Sequence, residues 1–540
     1  MDHDVVVAGA GPNGLLLACE LALGGIRPVV LERLPARSQA QKANGLVGQV
    51  LRLLDHRGLY EPLTGTPGAP RPVPRFVFGA FPLELHLLDE NPLHALPVPQ
   101  HRIEEVLEER AHALGITVLH GRQLTGFAQD EAGVTVELSG PAGPERLRAR
   151  YLVGADGGRS AVRKLAGIGF PGVTSSDPVS RIAHVRLPED VRTTADGEFL
   201  LPGCPVPFRP FTHTRTEHGV IVLAPLGPDI TMVATIEWGG RPVDETTPLT
   251  LDELRASIHR VTGADLALAP ARTPGPFTPR RQVGHNTRLA ESYRQGRVLL
   301  VGDAAHVHAA TGGPGLNLGL QDAANLGWKL AAELHGWAPP GLLDTYQRER
   351  HPVGERVFMH SQAQTALMAT GPGTTAVRAL FGELLAHPDN LGRIAALMAG
   401  SDVRYDVDCP HPLAGRFVPD LTATTPDGPV RIAELARTGR PLLIDLTNGE
   451  LGLADPAAGW KDRVDLVTAC CPQPPAGALL LRPDGYVVWA TEPDRADTDE
   501  LVRALRSWFG APAPEHELPV PAHERPALEY AHPRTDAQPL

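Results

Sequence analysis

A glycine-rich turn near the N-terminus constrains the fold of this chain more than any other feature. The run Gly9-Ala10-Gly11-Pro12-Asn13-Gly14 lies between an apolar segment, Val5–Val7, and a segment of helical character, Asn13–Leu23. In a strand–turn–helix unit the first glycine permits a tight turn, the second lets the backbone approach a pyrophosphate, and the third lets helix and strand pack closely. The positive end of the helix dipole attracts the same anion. The turn therefore predicts a dinucleotide-binding α/β domain built on a parallel sheet.

An acidic residue follows where such a domain needs one. Glu32 comes directly after a second apolar strand, Val29–Leu31, about 20 residues beyond the turn. A carboxylate at that position binds ribose hydroxyl groups and disfavours a 2′-phosphate on the same nucleotide. The alternative is a strand–turn–helix unit with a structural role only, because the glycine pattern alone is a weak signal.

Two further loops follow buried strands. The first, within residues 154–163, contains Asp156-Gly157 and Ser160. The second, Gly302-Asp303, leads into a glycine-rich segment, residues 311–317, and a long helix. A carboxylate at a strand end can hold a polyol, and the start of the helix can face a ligand. The structural alternatives are a helix cap at Ser160 and an ordinary N-cap at Asp303.

Composition limits the classes of function. A chain of 540 residues predicts two or three domains. The net charge of −12 argues against a nucleic-acid partner, which needs a concentrated basic face. The five cysteines have neither the spacing of a disulfide framework nor that of a zinc site. With no basic leader and no apolar stretch of about 20 residues, we expect a cytoplasmic protein with no membrane partner and no metal.

The pattern of apolar and polar residues changes twice along the chain. Between about residues 180 and 280, alternating segments such as Gly219–Leu223 and Met232–Trp238 predict antiparallel strands. Beyond Asp402, short apolar strands and a helix at Asp499–Trp508 predict a separate domain. A Pro-rich tail follows from about Ala511.

In order and in spacing, the three loops resemble those of the class A flavoprotein monooxygenases, which have the para-hydroxybenzoate hydroxylase fold. The resemblance covers essentially the whole chain and extends to the aromatic polyketide hydroxylases of antibiotic pathways. The runs that carry it are residues 151–163, 297–308, 315–330, 343–350, 411–416 and 481–486. In that subfamily the C-terminal domain is thioredoxin-like but lacks redox cysteines. The adjacent Cys470 and Cys471, which do not form a C-x-x-C motif, agree with this.

The resemblance implies an α/β fold with a Rossmann-like FAD-binding domain, an inserted antiparallel-sheet substrate domain and a C-terminal thioredoxin-like domain. The FAD-binding domain would comprise residues 1–75, 98–178 and 282–400, and the substrate domain residues 76–97 and 179–281. The thioredoxin-like domain would span residues 401–510, and the Pro-rich tail residues 511–540.

The same resemblance assigns the cofactor site. Glu32 would hold the adenosine ribose, Asp303 the ribityl chain, and Leu316 with Asn317 the pyrimidine edge of the isoalloxazine. The FAD-binding residues expected in this way are Gly9, Gly11, Pro12, Asn13, Gly14, Glu32, Arg33, Lys42, Gln100, Asp156, Gly302, Asp303, Pro314, Gly315, Leu316 and Asn317.

Two positions depart from the subfamily pattern. Ala310 stands where relatives usually have proline, next to the site of oxygen activation in this fold. Gln49 stands where relatives often carry arginine, so that Lys42 would be the cation left nearby. We expect FAD binding to survive both changes.

The activity implied is hydroxylation of a polycyclic aromatic substrate through a flavin C4a-hydroperoxide. NAD(P)H would visit transiently, because a single dinucleotide fingerprint is present, and O2 is the other co-substrate. The alternatives are Baeyer–Villiger oxidation or oxidative rearrangement, an antibiotic-inactivating hydroxylase, and a flavin-binding accessory protein without oxygenase turnover. A monomer and a homodimer are both compatible with the sequence.

No catalytic residue follows from the sequence. His308, His213, Arg209 and Trp238 are candidate pocket residues, each with a structural role as the alternative. Phe208, Phe211 and Trp238 would suit either the apolar roof of a substrate pocket or a domain core.

Overall fold

A computed structural model describes residues 2–37, 43–204, 206–227, 229–240, 247–271, 279–309, 313–495 and 497–513. The helices in these ranges are α1 (Pro12–Leu23), α2 (Val50–Asp55), α3 (Tyr60–Thr64), α4 (Gln100–Ala113), α5 (Ala161–Leu165), α6 (Leu251–Thr262), α7 (Pro314–His335), α8 (Thr345–Met368), α9 (Pro372–Leu385), α10 (Pro388–Ala399), α11 (Ile432–Leu435) and α12 (Thr498–Phe509). The strands are β1 (His3–Ala8), β2 (Pro28–Glu32), β3 (Gly45–Val47), β4 (Phe76–Phe78), β5 (Phe81–Leu83), β6 (Ala95–Pro97), β7 (Thr117–His120), β8 (Gln123–Gln129), β9 (Val134–Gly140), β10 (Gly143–Gly154), β11 (Gly172–Arg186), β12 (Arg192–Thr193), β13 (Phe199–Leu200), β14 (Thr214–Arg215), β15 (Val220–Gly227), β16 (Ile230–Glu237), β17 (Ala269–Pro270), β18 (Arg280–Leu289), β19 (Arg294–Gln295), β20 (Val298–Leu300), β21 (His306–Val307), β22 (Thr422–Thr425), β23 (Gly428–Arg431), β24 (Leu442–Asp445), β25 (Asp465–Thr468), β26 (Ala478–Leu481) and β27 (Val487–Thr491). Within the described ranges, no helix combines the length and the apolar character of a membrane span.

The central sheet is parallel in its middle, as the glycine-rich turn predicts. Its strand order is β19-β20-β10-β1-β2-β7, and β9 and β8 extend it from the side of β10. β1 pairs in parallel with β10 and with β2, and β10 pairs in parallel with β20. Val5, Val6 and Val7 are fully buried. Continuous β-branched runs suit such strands because helices cover both faces of a parallel sheet.

A second sheet is antiparallel, with the strand order β14-β15-β16-β11-β18-β21 and with β17 beside β11. Helix α6 covers one face, where Val233 of β16 packs in one apolar cluster with Leu254 and Ile258. On the opposite face Ile236 packs with Met368, the last residue of α8. The sheet therefore lies between α6 and the domain that contains α8.

Strand β21 joins the second sheet to the Gly302-Asp303 loop. It follows that loop directly in the chain and pairs with β18, with Leu289 opposite His306 and Arg288 opposite Val307. The last strand of the second sheet is thus supplied by the segment that also carries an expected cofactor residue.

The strands do not stop at the domain limits expected from the resemblance. β11 runs across the limit at 178/179, and β18 runs across the limit at 281/282. Residues 76–97 form a separate hairpin, β4–β5, and a strand, β6, that pairs with β3. We therefore propose a sheet domain that keeps β11 and β18 as whole strands.

The C-terminal domain contains a four-stranded sheet of order β25-β24-β26-β27 and helix α12. The apolar strands that the sequence predicts beyond Asp402 are present. Their buried side chains include Leu443, Leu480 and Trp489, and Trp328 of α7 belongs to the same cluster. This domain therefore shares an apolar core with α7, the long helix that follows the Gly302-Asp303 loop.

Candidate cofactor and substrate site

Three strand ends bring the predicted loops together. Ala8 of β1 is in register with Gly154 of β10, which is in register with Leu300 of β20. The Ala155 N–H donates to Ala8 O over 2.8 Å, and the Val301 N–H donates to Gly154 O over 2.9 Å. All three predicted loops therefore leave one edge of the central sheet side by side.

The glycines of the first loop have distinct steric roles. Gly9 has a φ of 112°, and a Cβ there would lie 2.4 Å from Ala155 O. A Cβ on Gly14 would lie 2.0 Å from Gly9 O, whereas no described atom lies within 4 Å of a Cβ position on Gly11. No side chain caps α1, whose N-cap is Gly11. The first N–H groups of α1 therefore face open space in which an anion can bind.

Glu32 lies beside this turn. Its Oε2 accepts a hydrogen bond from the Ala10 N–H at 3.0 Å, and its Oε1 accepts one from the Leu34 N–H at 2.9 Å. These bonds orient the carboxylate and leave lone pairs on both oxygens for ribose hydroxyl groups. Arg33 is exposed next to it, whereas Lys42 lies outside the described residues.

The two carboxylate oxygens of Asp156 have different surroundings: one caps the start of α5, and the other is left for a ligand. Asp156 Oδ2 accepts hydrogen bonds from the N–H groups of Ala161 and Val162 at the start of α5. Ser160 Oγ accepts one from the Arg163 N–H at 2.9 Å, so the expected helix cap is present. Asp156 Oδ1 is buried and has no partner among the described residues. An unpaired buried acceptor costs about 1 to 3 kcal/mol, which a bound hydroxyl group would remove.

Arg163 ties two of the loops to each other. Its guanidinium donates to Ala304 O over 2.8 Å and to Gly158 O over 3.0 Å, and it lies 3.6 Å from the centre of the Phe170 ring. This role does not follow from the sequence, because the acceptors are backbone carbonyls and one of them is in a distant loop.

Position 302 favours glycine for two reasons. Gly302 has a φ of 62°, and a Cβ there would lie 1.9 Å from Asn13 Nδ2. A Cβ on Gly319 of α7 would lie 2.4 Å from the same atom. The Asn13 side chain therefore fills the gap between the glycine-rich turn, the Gly302-Asp303 loop and α7. Its Oδ1 is buried without a partner among the described residues.

Asp303 faces the start of α7. It is exposed in a short 3-10 turn, Gly302–Ala304, and its Oδ1 lies 3.8 Å from a Cβ position on Gly315. The N-cap of α7 is Gly313. The carboxylate of Asp303 borders the space in front of the helix.

The start of α7 is fixed from two sides. Gly313 has a φ of 64°, no side chain caps the helix there, and Pro314 occupies the first turn. Asn317 Oδ1 accepts a hydrogen bond from the Val47 N–H at 2.9 Å, and Asn317 Nδ2 donates to Gly313 O over 2.7 Å. Leu316 packs against the core of the central sheet. The start of α7 is thus held in one place.

Two glutamines near the site have protein partners. Gln100 begins α4, and its Nε2 donates to Glu104 Oε1 over 2.7 Å within the same helix. Gln49 is buried, and its N–H donates to Ala399 O over 2.8 Å. Ala310, the other departure from the subfamily pattern, lies outside the described residues.

A buried ion system lies behind the Gly302-Asp303 loop. His306 Nε2 is 2.6 Å from Asp322 Oδ2, and Arg350 Nε donates to Asp322 Oδ1 over 2.7 Å. All three side chains are fully buried. Burial opposes ionisation of Asp322, but Arg350 and His306 outweigh it and lower the pKa of that carboxyl. The signal in the sequence is the spacing of Asp322, Asn325 and Lys329, which puts three polar groups on one face of an apolar helix.

His308 has no partner for either ring nitrogen among the described residues, and both nitrogens are buried. Its ring stacks on that of His306, with 5.3 Å between centroids. Burial lowers the pKa of His308 well below its usual value, so the ring is neutral. A neutral imidazole can donate one hydrogen bond and accept another. His308 is therefore equipped to bind a ligand that carries oxygen substituents.

The other candidate pocket residues lie in different surroundings. Phe208 is buried in the core beneath α6, Phe211 is 54% exposed, and Arg209 forms ion pairs with two glutamates. Trp238 packs on the face of the second sheet that meets α8. His213 Nδ1 is buried without a described partner, and burial lowers the pKa of His213 to about 4. Trp238 and His213 thus keep a possible pocket role, whereas Phe208 belongs to the core.

The geometry fits FAD. Two buried oxygens without described partners, Asn13 Oδ1 and Asp156 Oδ1, lie in the loops at the sheet edge. The helices α1 and α7 both begin there without a side-chain cap. We propose that α1 binds the pyrophosphate, Glu32 the adenosine ribose, Asp303 the ribityl chain and the start of α7 the pyrimidine edge. When bound, FAD would supply the redox chemistry.

A cavity of about 600 Å³ lies elsewhere, between α2, residues 90–94, α10 and the C-terminal domain. Gln49, Arg52 and Arg416 are among the residues that line it. None of the expected cofactor-binding residues does, so this cavity is separate from the three loops.

Two family models and several known proteins are similar to this chain. A family model described as "FAD binding domain" matches residues 2–361, and a second, described as "Aromatic-ring hydroxylase, C-terminal", matches residues 411–512. A solved structure of the OxyS anhydrotetracycline hydroxylase from Streptomyces rimosus superposes with a TM-score of 0.82. The two chains are 41% identical, over 95% of this chain and 100% of the other.

Two curated relatives span nearly the whole chain. The 12-dehydrotetracycline 5-monooxygenase/anhydrotetracycline 6-monooxygenase of Streptomyces rimosus subsp. rimosus is 43% identical over 528 residues, which cover 95% of this chain and 100% of the relative. A rifampicin monooxygenase of Streptomyces venezuelae is 42% identical over 509 residues, which cover 94% and 99%. With this extent of identity and with three loops arranged for FAD, the chain belongs to the FAD-dependent aromatic-ring hydroxylases, the class A flavoprotein monooxygenases.

Proposed function

We propose that this monooxygenase uses FAD, NAD(P)H and O2 to hydroxylate a polycyclic aromatic substrate. The observation that carries the proposal is the continuity of β21, by which the Gly302-Asp303 loop runs directly into the second sheet. The cofactor edge and the face of that sheet turned away from α6 would therefore border the same space. A substrate bound there would lie next to the isoalloxazine.

The face of the second sheet that is turned away from α6 contains an apolar patch beside polar residues such as Ser180 and Gln282. Ile182 is opposite Ala234, and Ala234 is opposite Val222. Directly opposed residues of an antiparallel sheet share one face, and successive residues alternate between faces. Because Ala183 and Val233 pack toward α6, the other three point away from it. An apolar surface of this kind suits a fused ring system.

His308 would bind the oxygen substituents of such a substrate. Both of its ring nitrogens are buried without described partners. A carbonyl oxygen would accept from the N–H of the ring, whereas a phenol could bond to either nitrogen, and the gain would be about 1 kcal/mol for such a bond. The stack on His306, which Asp322 fixes, keeps the ring in one orientation.

The start of α7 would act on the cofactor rather than on the substrate. Its free N–H groups and the positive end of its dipole stabilise negative charge at the pyrimidine edge of a reduced isoalloxazine. The second sheet and α8 would exclude water from the space between them.

A second candidate is oxygenation of a finished antibiotic rather than of a biosynthetic intermediate. The similarity to a rifampicin monooxygenase favours it. The same cofactor site serves both candidates, which differ in the substrate alone.

Turnover with two probe compounds tests the proposal. The purified protein should show the absorption bands of oxidised flavin. NADPH or NADH consumption and O2 uptake should rise on addition of anhydrotetracycline or rifampicin, and mass spectrometry should find one atom from isotopically labelled O2 in the product. Product connectivity separates hydroxylation from Baeyer–Villiger insertion. A flavin-loaded protein that consumes neither cosubstrate with any polycyclic phenol or quinone would contradict the proposal and favour an accessory role.

A further inference from the structure

The two helices that begin at the cofactor loops are packed tightly along their length. A Cβ on Gly327 of α7 would lie 2.4 Å from Glu20 Cβ of α1, and a Cβ on Gly24 would lie 2.6 Å from Ala331 Cβ. At the opposite end Asn13 separates α1 from Gly319. The distance between the two helix starts is therefore set by contacts deeper in the protein.

A turn of the C-terminal domain is inserted beside these helices. It connects β26 to β27 and contains Arg482, Pro483 and Asp484. The Arg482 guanidinium donates to both oxygens of Glu349 in α8, over 2.6 and 2.9 Å. It also forms an ion pair with Asp484 within the turn. Both Arg482 and Asp484 are almost completely buried, at 2% and 3% exposure.

Helix α7 completes this ion cluster. Lys329 Nζ donates to Glu349 Oε2 and to Asn325 Oδ1, each over 2.7 Å. Asn325 Nδ2 donates to Asp484 Oδ2 over 3.1 Å. Arg482 and Lys329 thus face Glu349 and Asp484 in a buried cluster. Burial lowers the pKa of Lys329 to about 7, whereas Arg482 and Lys329 overcome burial and lower that of Glu349 to about 2.

The same turn is bound from the side of α1. Arg57 donates to both carboxylate oxygens of Glu20, over 2.6 and 2.8 Å. It also donates to Pro483 O over 2.6 Å and to Ala436 O over 3.2 Å. Glu20 and Arg57 are both buried. One turn therefore holds α7 and α8 through Arg482 and Asp484, and α1 through Pro483 and Arg57.

We propose that the Arg482–Asp484 turn of the C-terminal domain is a positioning element for FAD, because it fixes α1 and α7 at the spacing that the cofactor requires. The proposal depends on FAD binding, which the family shows, and not on the identity of the substrate. None of these side chains needs to touch FAD. The C-terminal domain, which lacks a redox motif, thereby has a defined task in the enzyme.

The chemistry of the cluster favours a positioning role over a simple gain in stability. Burying charges costs about as much as their attraction returns, so an apolar contact would hold the domains together equally well. Directional, charge-assisted bonds fix one geometry, and bidentate Arg–carboxylate pairs do so best. The cluster therefore specifies where the helices lie relative to each other.

Two variants of the full-length protein test the proposal. Lys329→Met/Glu349→Gln removes one cation and one anion, so that Arg482 and Asp484 still balance. Asp484→Asn keeps the volume of the side chain, removes one buried carboxylate of the turn and leaves the Arg482–Glu349 bonds in place. The control is Arg440→Met, which breaks an ion pair of 2.7 Å with Asp465 inside the same domain and removes no bond to the Arg482–Asp484 turn.

Three measurements apply to each protein: the dissociation constant of FAD for the apoprotein, the visible circular dichroism of the bound flavin, and amide hydrogen exchange in residues 9–23 and 313–319. We expect the dissociation constant to rise about tenfold or more in both variants and less than about twofold in the control. The flavin dichroism should change, and exchange at both helix starts should accelerate. A changed flavin dichroism in the folded variants would not follow from a loss of global stability alone, and the control corrects the exchange rates for such a loss.

An unchanged FAD dissociation constant and unchanged exchange at residues 313–319 in folded Asp484→Asn would overturn the proposal. Asp484→Asn decides the matter alone if the double variant does not fold. Equal effects in the variants and in Arg440→Met would also overturn it, because the cause would then be general destabilisation of the domain. Failure of substrate turnover in the unsubstituted protein has no bearing on these results.

Discussion

The imidazole of His306 and the carboxylate of Asp322 are joined by a contact of 2.6 Å between Nε2 and Oδ2, and neither side chain is exposed to solvent. The other oxygen of Asp322 accepts a hydrogen bond from Arg350. In a low-dielectric interior such bonds are strong, and loss of one partner leaves the others unpaired. This contact attaches α7 to the strand that follows the Gly302-Asp303 loop.

Asp322→Asn should therefore destabilise the fold. The Arg350 charge would remain buried without a counter-charge, which costs about 3 to 5 kcal/mol. Urea unfolding followed by circular dichroism measures the loss. Asp344→Asn is the control, since Asp344 is 67% exposed in its pair with Arg294 and its removal should cost less than about 1 kcal/mol. Similar losses of unfolding free energy in the two variants would show that the buried pair contributes no more to stability than the exposed pair.

Asp303→Ala should weaken FAD retention. The carboxylate faces the start of α7, where it would accept hydrogen bonds from the ribityl chain. Loss of a charged acceptor should raise the FAD dissociation constant about tenfold or more. Fluorescence titration of the apoprotein measures it, and Asp389→Ala, at an exposed helix start, should bind FAD normally. Unchanged affinity in Asp303→Ala would place the ribityl chain elsewhere.

Gly302→Ala and Gly313→Ala separate steric exclusion from backbone strain. Both glycines have a positive φ, of 62° and 64°. A Cβ on Gly302 would lie 1.9 Å from Asn13 Nδ2, whereas no described atom lies within 4 Å of one on Gly313. Each variant should lose about 1 kcal/mol to backbone strain. Gly302→Ala should lose about 1 to 3 kcal/mol more to overpacking, together with most of its FAD affinity.

Comparison of Gly302→Ala with Gly313→Ala tests whether the Asn13 side chain must keep its position. Thermal unfolding of the apoproteins compares their stability, and the flavin absorbance retained after gel filtration compares their FAD content. Equal behaviour would mean that the Asn13 side chain can move aside, and that the fit at position 302 is not required.

Stability should fall as the pH is lowered from 6.5 to 4, in part because of His360. This side chain is 3% exposed, and burial, with the charge of Arg356, lowers its pKa from 6.5 to about 4. In this window the unfolded chain binds a proton that the folded protein does not, so acid favours unfolding. The contribution of His360 is up to about 3 kcal/mol.

A comparison of His360→Asn with His387→Asn measures this contribution. The first variant should show a shallower dependence of the unfolding free energy on pH between 6.5 and 4 than the unsubstituted protein. The second, at an exposed position, should keep the original slope. Parallel slopes in all three proteins would show that His360 titrates normally in the folded state.

Local sequence signals predicted the three loops at the edge of the central sheet. The glycines, the β-branched strands and the carboxylate at Glu32 act over short distances, and a parallel sheet brings the ends of its strands to one edge. The apolar strands of the C-terminal domain are recognisable for the same reason. The cap at Ser160 is also a local feature and could be predicted.

Long-range partners could not be predicted from these signals. Arg163 binds a carbonyl in the loop of Ala304, and Arg57 binds one in the C-terminal domain. Alternation of apolar residues shows that a strand has two faces but not which neighbour covers each, so Phe208 suited both a pocket and a core. The two-residue strand β21 is too short to have a pattern of its own.

The position of β21 in the second sheet has a consequence for the divergence of these enzymes. Changes at the margin formed by β21 would displace Asp303, which we propose binds the ribityl chain of FAD. The opposite margin, formed by β14, β15 and β16, lies at the other side of the sheet from the segment that carries Asp303. New ring systems can therefore be accommodated by substitutions on these three strands, and variants made there should acquire altered ligand preference while their flavin remains bound as before.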